Sequence, residues 1–182
     1  MELKDVILGF LDWKQMTGYE LKSVFSELDY LPWSGNNNQI YKALLELERG
    51  GLVEKQTIVQ EKLPAQKRYK ATASGRGRQR EAVLQQPEVL SIKNDFLLHL
   101  AWSECLSLDE ILALIDGYER SIELELAMCR EKIRRQQPGT GRSAREDYVW
   151  GMIMQNRAMM LQVELDWLAS LRNGLANELR RK

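Results

Sequence analysis

Histidine is nearly absent from this 182-residue chain, where His99 stands alone, and cysteine is almost as scarce, with only Cys105 and Cys129. No H-x-x-x-H or C-x-x-C spacing can be built from so few ligands, so neither a metal nor a cofactor is expected. Two isolated thiols are too few for a disulfide framework and are expected to be reduced and buried. No G-x-S-x-G elbow, phosphate-binding loop or dinucleotide G-x-G-x-x-G in strand context occurs, and Gly75-Arg76-Gly77 lies in a stretch too basic and too helical to be one. His99, flanked by Leu98 and Leu100, is expected to pack rather than act as a base, and nothing selects a pair of acids. Catalysis is therefore excluded. No apolar run approaches the roughly 20 residues that span a bilayer. Met1-Glu2-Leu3-Lys4-Asp5 alternates charge, and no signal-peptide core followed by a small-residue cleavage site is expected there, which points to a cytoplasmic protein with no membrane partner. Net charge is also lacking: 26 Lys and Arg balance 26 Asp and Glu.

What is present is distribution. Residues 1–86 hold 13 basic against 11 acidic side chains, and residues 87–182 hold 13 against 15. Within the first half, Lys62, Lys67, Arg68, Lys70, Arg76, Arg78 and Arg80 follow one another with no acid between them. Such a run is a local basic field in a neutral protein, and it is either a solvated face or a phosphate-binding one.

Leu3, Ile7, Phe10 and Leu11 recur at helical spacing and predict a first helix over 2–14. Thr17 and Glu20 form an S/T-x-x-E capping box that opens a second helix, burying Leu21, Val24, Phe25 and Leu28. A loop over 29–33 follows, with Trp33 as a core plug. A third helix is predicted over 34–50. Ser34 is its candidate cap, with Asn36 and Asn37 as weaker ones, and Gly50-Gly51 is its stop. Ile40, Leu44, Leu47 and, at the edge, Leu45 form its apolar stripe, while Asn36, Asn37, Asn38, Gln39, Tyr41 and Lys42 carry amide, phenol and ammonium groups on its first turns. Those groups suit base edges and phosphates. They suit water equally well, so the stretch alone does not choose.

After Gly51 the period changes. Leu52 to Val59 is rich in β-branched residues, 61–67 reads as a tip, and Arg68 to Thr72 can return as a partner strand. A lone hairpin is unstable, so it must lean on the helices. Three helices plus a hairpin make a winged helix-turn-helix, with the basic hairpin beside the third helix. A fourth helix is expected over 72–85, and Gln86-Pro87-Glu88 as the joint, dividing the chain into a DNA-binding domain of residues 1–86 and a helical domain of residues 87–182. Beyond the joint everything reads as helix: a segment around Ile92–Cys105, a long helix opened by a capping box at Ser107 and Glu110, and a last one opened at Ser143 and Glu146. That last helix carries two seams. Val149, Ile153, Asn156, Met160, Val163 and Trp167 form one; Leu161, Leu165, Leu168 and Leu175, with Leu179 at the end, form the other. One antiparallel neighbour supplies a partner for one seam only, and the first is assigned to a homodimer interface. A C₂ dimer would present two reading heads to a pseudo-palindromic operator on double-stranded DNA. His99 and Trp102 near the joint, with Tyr118, are candidates to bind a small aromatic effector, although all three serve equally as core residues.

Met16-Thr17-Gly18-Tyr19-Glu20-Leu21, Trp33-Ser34, Gln39-Ile40-Tyr41, Leu44 to Leu47, Glu48-Arg49-Gly50-Gly51-Leu52-Val53, Arg68-Tyr69 and Thr72-Ala73-Ser74-Gly75 stand in the order and spacing of one family. Over residues 1–85 the chain resembles the PadR-family transcriptional regulators, and the remainder resembles their long-tailed branch, which includes phenolic-acid-responsive repressors and a virulence activator. Two departures are visible. Leu63-Pro64-Ala65-Gln66 replaces the Gly-Arg-Pro turn many members have at the wing tip, which bears on minor-groove contact. Lys42 replaces a proline and adds a candidate phosphate contact.

The resemblance implies a dimer that binds DNA through the winged helix and usually represses, with an aromatic ligand releasing it in some members. It places Tyr19, Gln39 and Tyr41 at the DNA, with packing and phosphate contact equally open for Tyr19. The asparagines are added on position alone, and Lys62, Lys67 and Arg68 of the wing are expected on phosphates. The expected function is thus a dimeric repressor released by a small effector. The alternatives are an activator without an effector, or a winged helix used for protein contact.

Overall fold

Leu3, Ile7, Leu8 and Leu11 fall on one side of α1 (Leu3–Trp13), and the Glu2 N–H donates to the Asp5 carboxylate at 2.9 Å to close its first turn. The computed structural model describes residues 1–28, 36–60, 63–87, 94–136 and 141–179. The expected loop over 29–33 with its Trp33 plug, the Ser34 cap and Lys62 at the wing tip lie outside the described residues. The chain divides into two compact units, Met1–Leu90 and Ser91–Lys182.

In the first unit, β1 (Met16–Thr17) leads into α2 (Gly18–Glu27), then come α3 (Asn37–Arg49), β2 (Val53–Gln60), β3 (Leu63–Ala71) and α4 (Ala73–Leu84). The Thr17–Glu20 capping box forms as expected: the Glu20 N–H donates to Thr17 Oγ1 at 3.1 Å, and the Thr17 N–H donates to Glu20 Oε2 at 2.6 Å. The α3 cap is Asn36, whose Oδ1 accepts from the Asn38 N–H at 2.9 Å. At its other end the Leu52 N–H reaches the Leu47 carbonyl at 2.9 Å and the Gly51 N–H the Glu48 carbonyl at 3.0 Å, with Gly51 at φ +66. This is a Schellman stop, in which glycine takes the left-handed residue at no steric cost.

The wing differs from the expected hairpin in two ways. Its strands run further toward the tip, so Lys67 pairs with Thr57 inside the ladder rather than sitting in the turn. It also has a third strand: Met16 and Thr17 pair with Tyr69 and Arg68, giving the antiparallel order β1-β3-β2. That short strand is how the hairpin leans on the helices. Ile7, Leu8, Leu11, Met16, Leu21, Phe25, Ile40, Leu44, Leu47, Val53 and Tyr69 make one core from α1, α2, α3 and the three strands. Leu45, expected at the edge of the apolar stripe, is exposed.

The second unit consists of α5 (Asp95–Ala101), a short 3₁₀ turn (Ser103–Cys105), α6 (Leu108–Arg134) and α7 (Ala144–Leu179). The two long helices are antiparallel, as their bridges show: Arg157 meets Glu125, and further along Arg172 meets Asp116 at 2.6 Å and Glu119 at 2.5 Å. The face of α7 turned to α6 carries Met154, Leu161 and Leu168. Phe96, Ile115 and Leu168 centre the core at the α5 end. Of the two thiols expected to be buried, Cys129 is, but Cys105 is exposed because the 3₁₀ turn presents it to solvent. No described helix is long and apolar enough to cross a membrane.

Candidate nucleic-acid interface

Residues of α3 sort cleanly by face. Ile40, Ala43, Leu44 and Leu47 are buried, whereas Asn36, Asn37, Asn38, Gln39, Tyr41 and Lys42 are all exposed. Packing the apolar stripe into the core leaves the amides, phenol and ammonium as one presented surface, at the end of the helix where N–H groups are free. Asn36 divides its work, since its carbonyl oxygen is taken by the cap while its amide N–H₂ remains on the exposed side.

Beside this surface lies a groove of about 380 Å³ lined by residues of four elements, among them Thr17 from β1, Tyr19 and Glu20 from α2, Tyr41 from α3, and Gln66, Lys67 and Tyr69 from β3. The α2 box, the third helix and the wing are therefore brought together in space. Tyr19 is 75% exposed and turns away from the core. Tyr69 is buried, and burial pushes its phenol above the ordinary range. Lys67 is exposed on β3.

Arg68 was expected on phosphate, and the structure gives its guanidinium internal work. One N–H group donates to the Gln15 carbonyl and another to Glu20 Oε1, each at 3.3 Å. Desolvation raises the Glu20 carboxyl, but the Thr17 backbone and hydroxyl together with Arg68 and Lys14 outweigh it and hold it below the usual carboxylate value. Arg68 thus ties the wing to the start of α2. The basic run is dispersed in the same way. Arg78 reaches Asp5 at 3.0 Å and Glu2 at 3.4 Å, and Arg76 reaches Asp12 at 3.9 Å and donates to the Ala71 carbonyl at 3.1 Å. Sequence spacing could not show this, because the acids that meet these arginines lie far back in the chain: Glu20 on α2 for Arg68, and Asp12, Asp5 and Glu2, on or capping α1, for Arg76 and Arg78. Among the described residues no cluster of potential metal ligands occurs.

In the second unit, Tyr118 stacks on Phe96 with ring centroids 4.1 Å apart, and its hydroxyl meets Asn94 at 3.0 Å and Glu164 at 3.1 Å. His99 is exposed and lies 3.3 Å from Asp95 one turn earlier. Trp102, just past the end of α5, is 79% exposed. Tyr118 therefore joins the core, while the other two candidates face solvent. The seam of Val149, Ile153, Asn156, Met160, Val163 and Trp167 is exposed along its whole length. Asn94 and Glu164, which complete the Tyr118 cluster, escaped the sequence reading, since neither carries a signal beyond ordinary surface polarity.

Comparison with known proteins bears on the fold. Residues 7–81 match the profile of the Transcriptional regulator PadR-like family. The Negative transcriptional regulator PadR of Bacillus subtilis is 32% identical over 109 residues; the match spans 59% of this chain and 60% of the relative's length. Among solved structures, that of Bacillus subtilis PadR in complex with operator DNA superposes with a TM-score of 0.83 at 24% identity, covering 95% of this chain and 98% of the other. The same protein in complex with p-coumaric acid gives a TM-score of 0.75 at 23% identity, covering 96% and 95%. At these identities the likeness is one of fold, and the fold is a winged helix followed by a helical unit.

Proposed function

We propose that the protein, whose residues 7–81 match the Transcriptional regulator PadR-like family, is a dimeric, cytoplasmic transcriptional repressor. In this reading residues 1–86 bind double-stranded DNA and residues 87–182 join two copies and receive a small effector. The observation that carries it is the sorting of α3: an apolar face with Ile40, Ala43, Leu44 and Leu47 sunk in the core, and an exposed face with Asn37, Asn38, Gln39, Tyr41 and Lys42, next to the exposed cap Asn36. With α3 in the major groove, Asn37, Asn38, Gln39 and Tyr41 meet base edges, Asn36 reaches with its free amide N–H₂, and Lys42, Lys62 and Lys67 meet phosphates. Tyr19 contributes from the first turn of α2. Arg68, engaged with Glu20, serves the DNA by holding the wing in place more than by touching phosphate.

The exposed seam on α7 supports the dimer, because six positions at heptad spacing present a continuous, largely apolar strip. Release by an aromatic effector is supported by the relative solved with p-coumaric acid, and His99, Trp102 and Tyr118 are the residues we assign to it. An effector of this kind would act by favouring one of two spacings of the reading heads.

A mobility-shift series on DNA upstream of the protein's own gene, repeated over a salt gradient with and without p-coumaric acid, tests the whole reading. Selective, salt-sensitive binding is expected, since cations that displace counterions lose affinity as salt rises. Gln39→Ala is expected to abolish selectivity at one position of the site, and Lys67→Ala to lower the salt slope by about one per subunit. Sequence-independent binding by the wild type sinks the proposal.

A further inference from the structure

Gly18 is the first residue of α2, and the ring of Tyr41 from α3 lies across it. A Cβ built on Gly18 would stand 2.7 Å from Cε1, 2.8 Å from Cζ and 3.0 Å from the hydroxyl oxygen of Tyr41. Carbons in normal contact stand roughly 3.5–4.0 Å apart, so the ring occupies the volume that any other residue would need. Backbone conformation does not call for glycine here, because the positive-φ glycines among the described residues are Gly51 and Gly141. The missing side chain is what the fold uses.

We propose that Gly18 is a positioning residue for DNA reading: its bare Cα seats the Tyr41 ring at the α2–α3 crossing and so fixes where the hydroxyl meets the operator. The inference rests on the DNA reading of the α3 face made above. Tyr41 is half-exposed and forms a wall of the groove that it shares with Tyr19, Gln66 and Lys67. Its ring is therefore bounded by α2 below and by open space outward. The atoms that meet an added methyl are at the far end of a side chain with free space beside it. The ring can swing outward about χ1 and χ2 without moving the backbone. Substitution at 18 thus displaces the reading group and leaves the fold standing. Alanine is also the better helix former, so local propensity works in favour of the variant's stability.

The test is a double-mutant cycle in the full-length protein, with Gly18→Ala, Tyr41→Ala and the double variant compared against wild type. Melting temperature and affinity for a selected and a scrambled DNA duplex are measured for each. Gly18→Ala is expected to melt within about 2 °C of wild type, to lose tenfold or more in affinity for the selected duplex, and to keep its affinity for the scrambled one. In the Tyr41→Ala background the same change is expected to have no further effect. An equal loss in both backgrounds, a Gly18→Ala variant as selective as wild type, or loss of folded protein in both backgrounds overturns the role of Gly18. A wild type that does not prefer the selected duplex overturns the DNA reading itself, and with it the inference.

Discussion

Asp5 shows at the scale of one residue how charge is used in the first unit. Its side chain is buried, only 4% of the residue being exposed, and it holds both the Glu2 backbone N–H and the Arg78 guanidinium. A buried carboxylate that loses a partner keeps its desolvation penalty without the compensating bonds. Arg78→Ala is expected to destabilise the protein by about 1–3 kcal/mol in urea unfolding, with DNA affinity unchanged once folded. A variant as stable as wild type would show that water replaces the arginine. Glu20 makes the complementary case for pH. Its carboxyl is held below the ordinary value of 4.5, so it stabilises the folded state above that value and loses the contribution as pH falls through the folded one. The wild-type melting temperature is expected to fall more steeply than that of Glu20→Gln between about pH 5 and pH 3. Parallel curves would remove Glu20 from the acid transition.

Elements meet in this domain through close backbone approaches as much as through side chains. Thr72 caps α4 by accepting from the Gly75 N–H at 3.1 Å, and its own hydroxyl donates to the Gly51 carbonyl at 2.8 Å. That double role pins the first turn of α4 against the chain leaving α3. A Cβ on Gly75 would come within 2.1 Å of the Leu52 carbonyl oxygen. Backbone cannot step aside as a ring end can. Gly75→Ala is expected to destabilise by about 2–3 kcal/mol, seen as a lower urea midpoint, in contrast to the near-silent melting of Gly18→Ala. Two glycines in the same domain thus separate by what stands opposite them. The short β1 strand belongs to this scale as well, since Met16 enters the core while its backbone extends the wing sheet.

For the whole molecule the decisive feature is the unused side of α7. One side packs on α6 through Met154, Leu161 and Leu168; the other exposes Val149, Ile153, Met160 and Val163, and at its end the Trp167 ring meets Phe96 edge-on. A second copy related by a two-fold axis would bury the same strip on both chains. Val163 is 66% exposed and outside the core, so a charge there burdens association and leaves folding alone. Val163→Glu is expected to raise the dimer dissociation constant about tenfold or more, read as a shift toward monomer mass in sedimentation at micromolar concentration. A dimer that persists would place the interface elsewhere.

Local chemistry and periodicity, which neighbours in sequence can satisfy, were legible in the sequence. The Gly50-Gly51 stop is a matter of two adjacent residues; the Thr17–Glu20 and Ser107–Glu110 boxes, the apolar stripe of α3 and the two seams of α7 depend on residues three, four or seven apart, a spacing that helix geometry brings together. The exposure of Asn37, Asn38, Gln39, Tyr41 and Lys42 follows from the same rule, for an amphipathic helix whose apolar side is buried must present the other. Long-range pairing was not legible. That Arg78 belongs to Asp5, that Arg68 belongs to Glu20, that Met16-Thr17 forms a third strand, and that Tyr41 rests on Gly18 are matters of which surfaces come together. Only the tertiary structure decided them, because charge and shape complementarity act through space and leave no period along the chain.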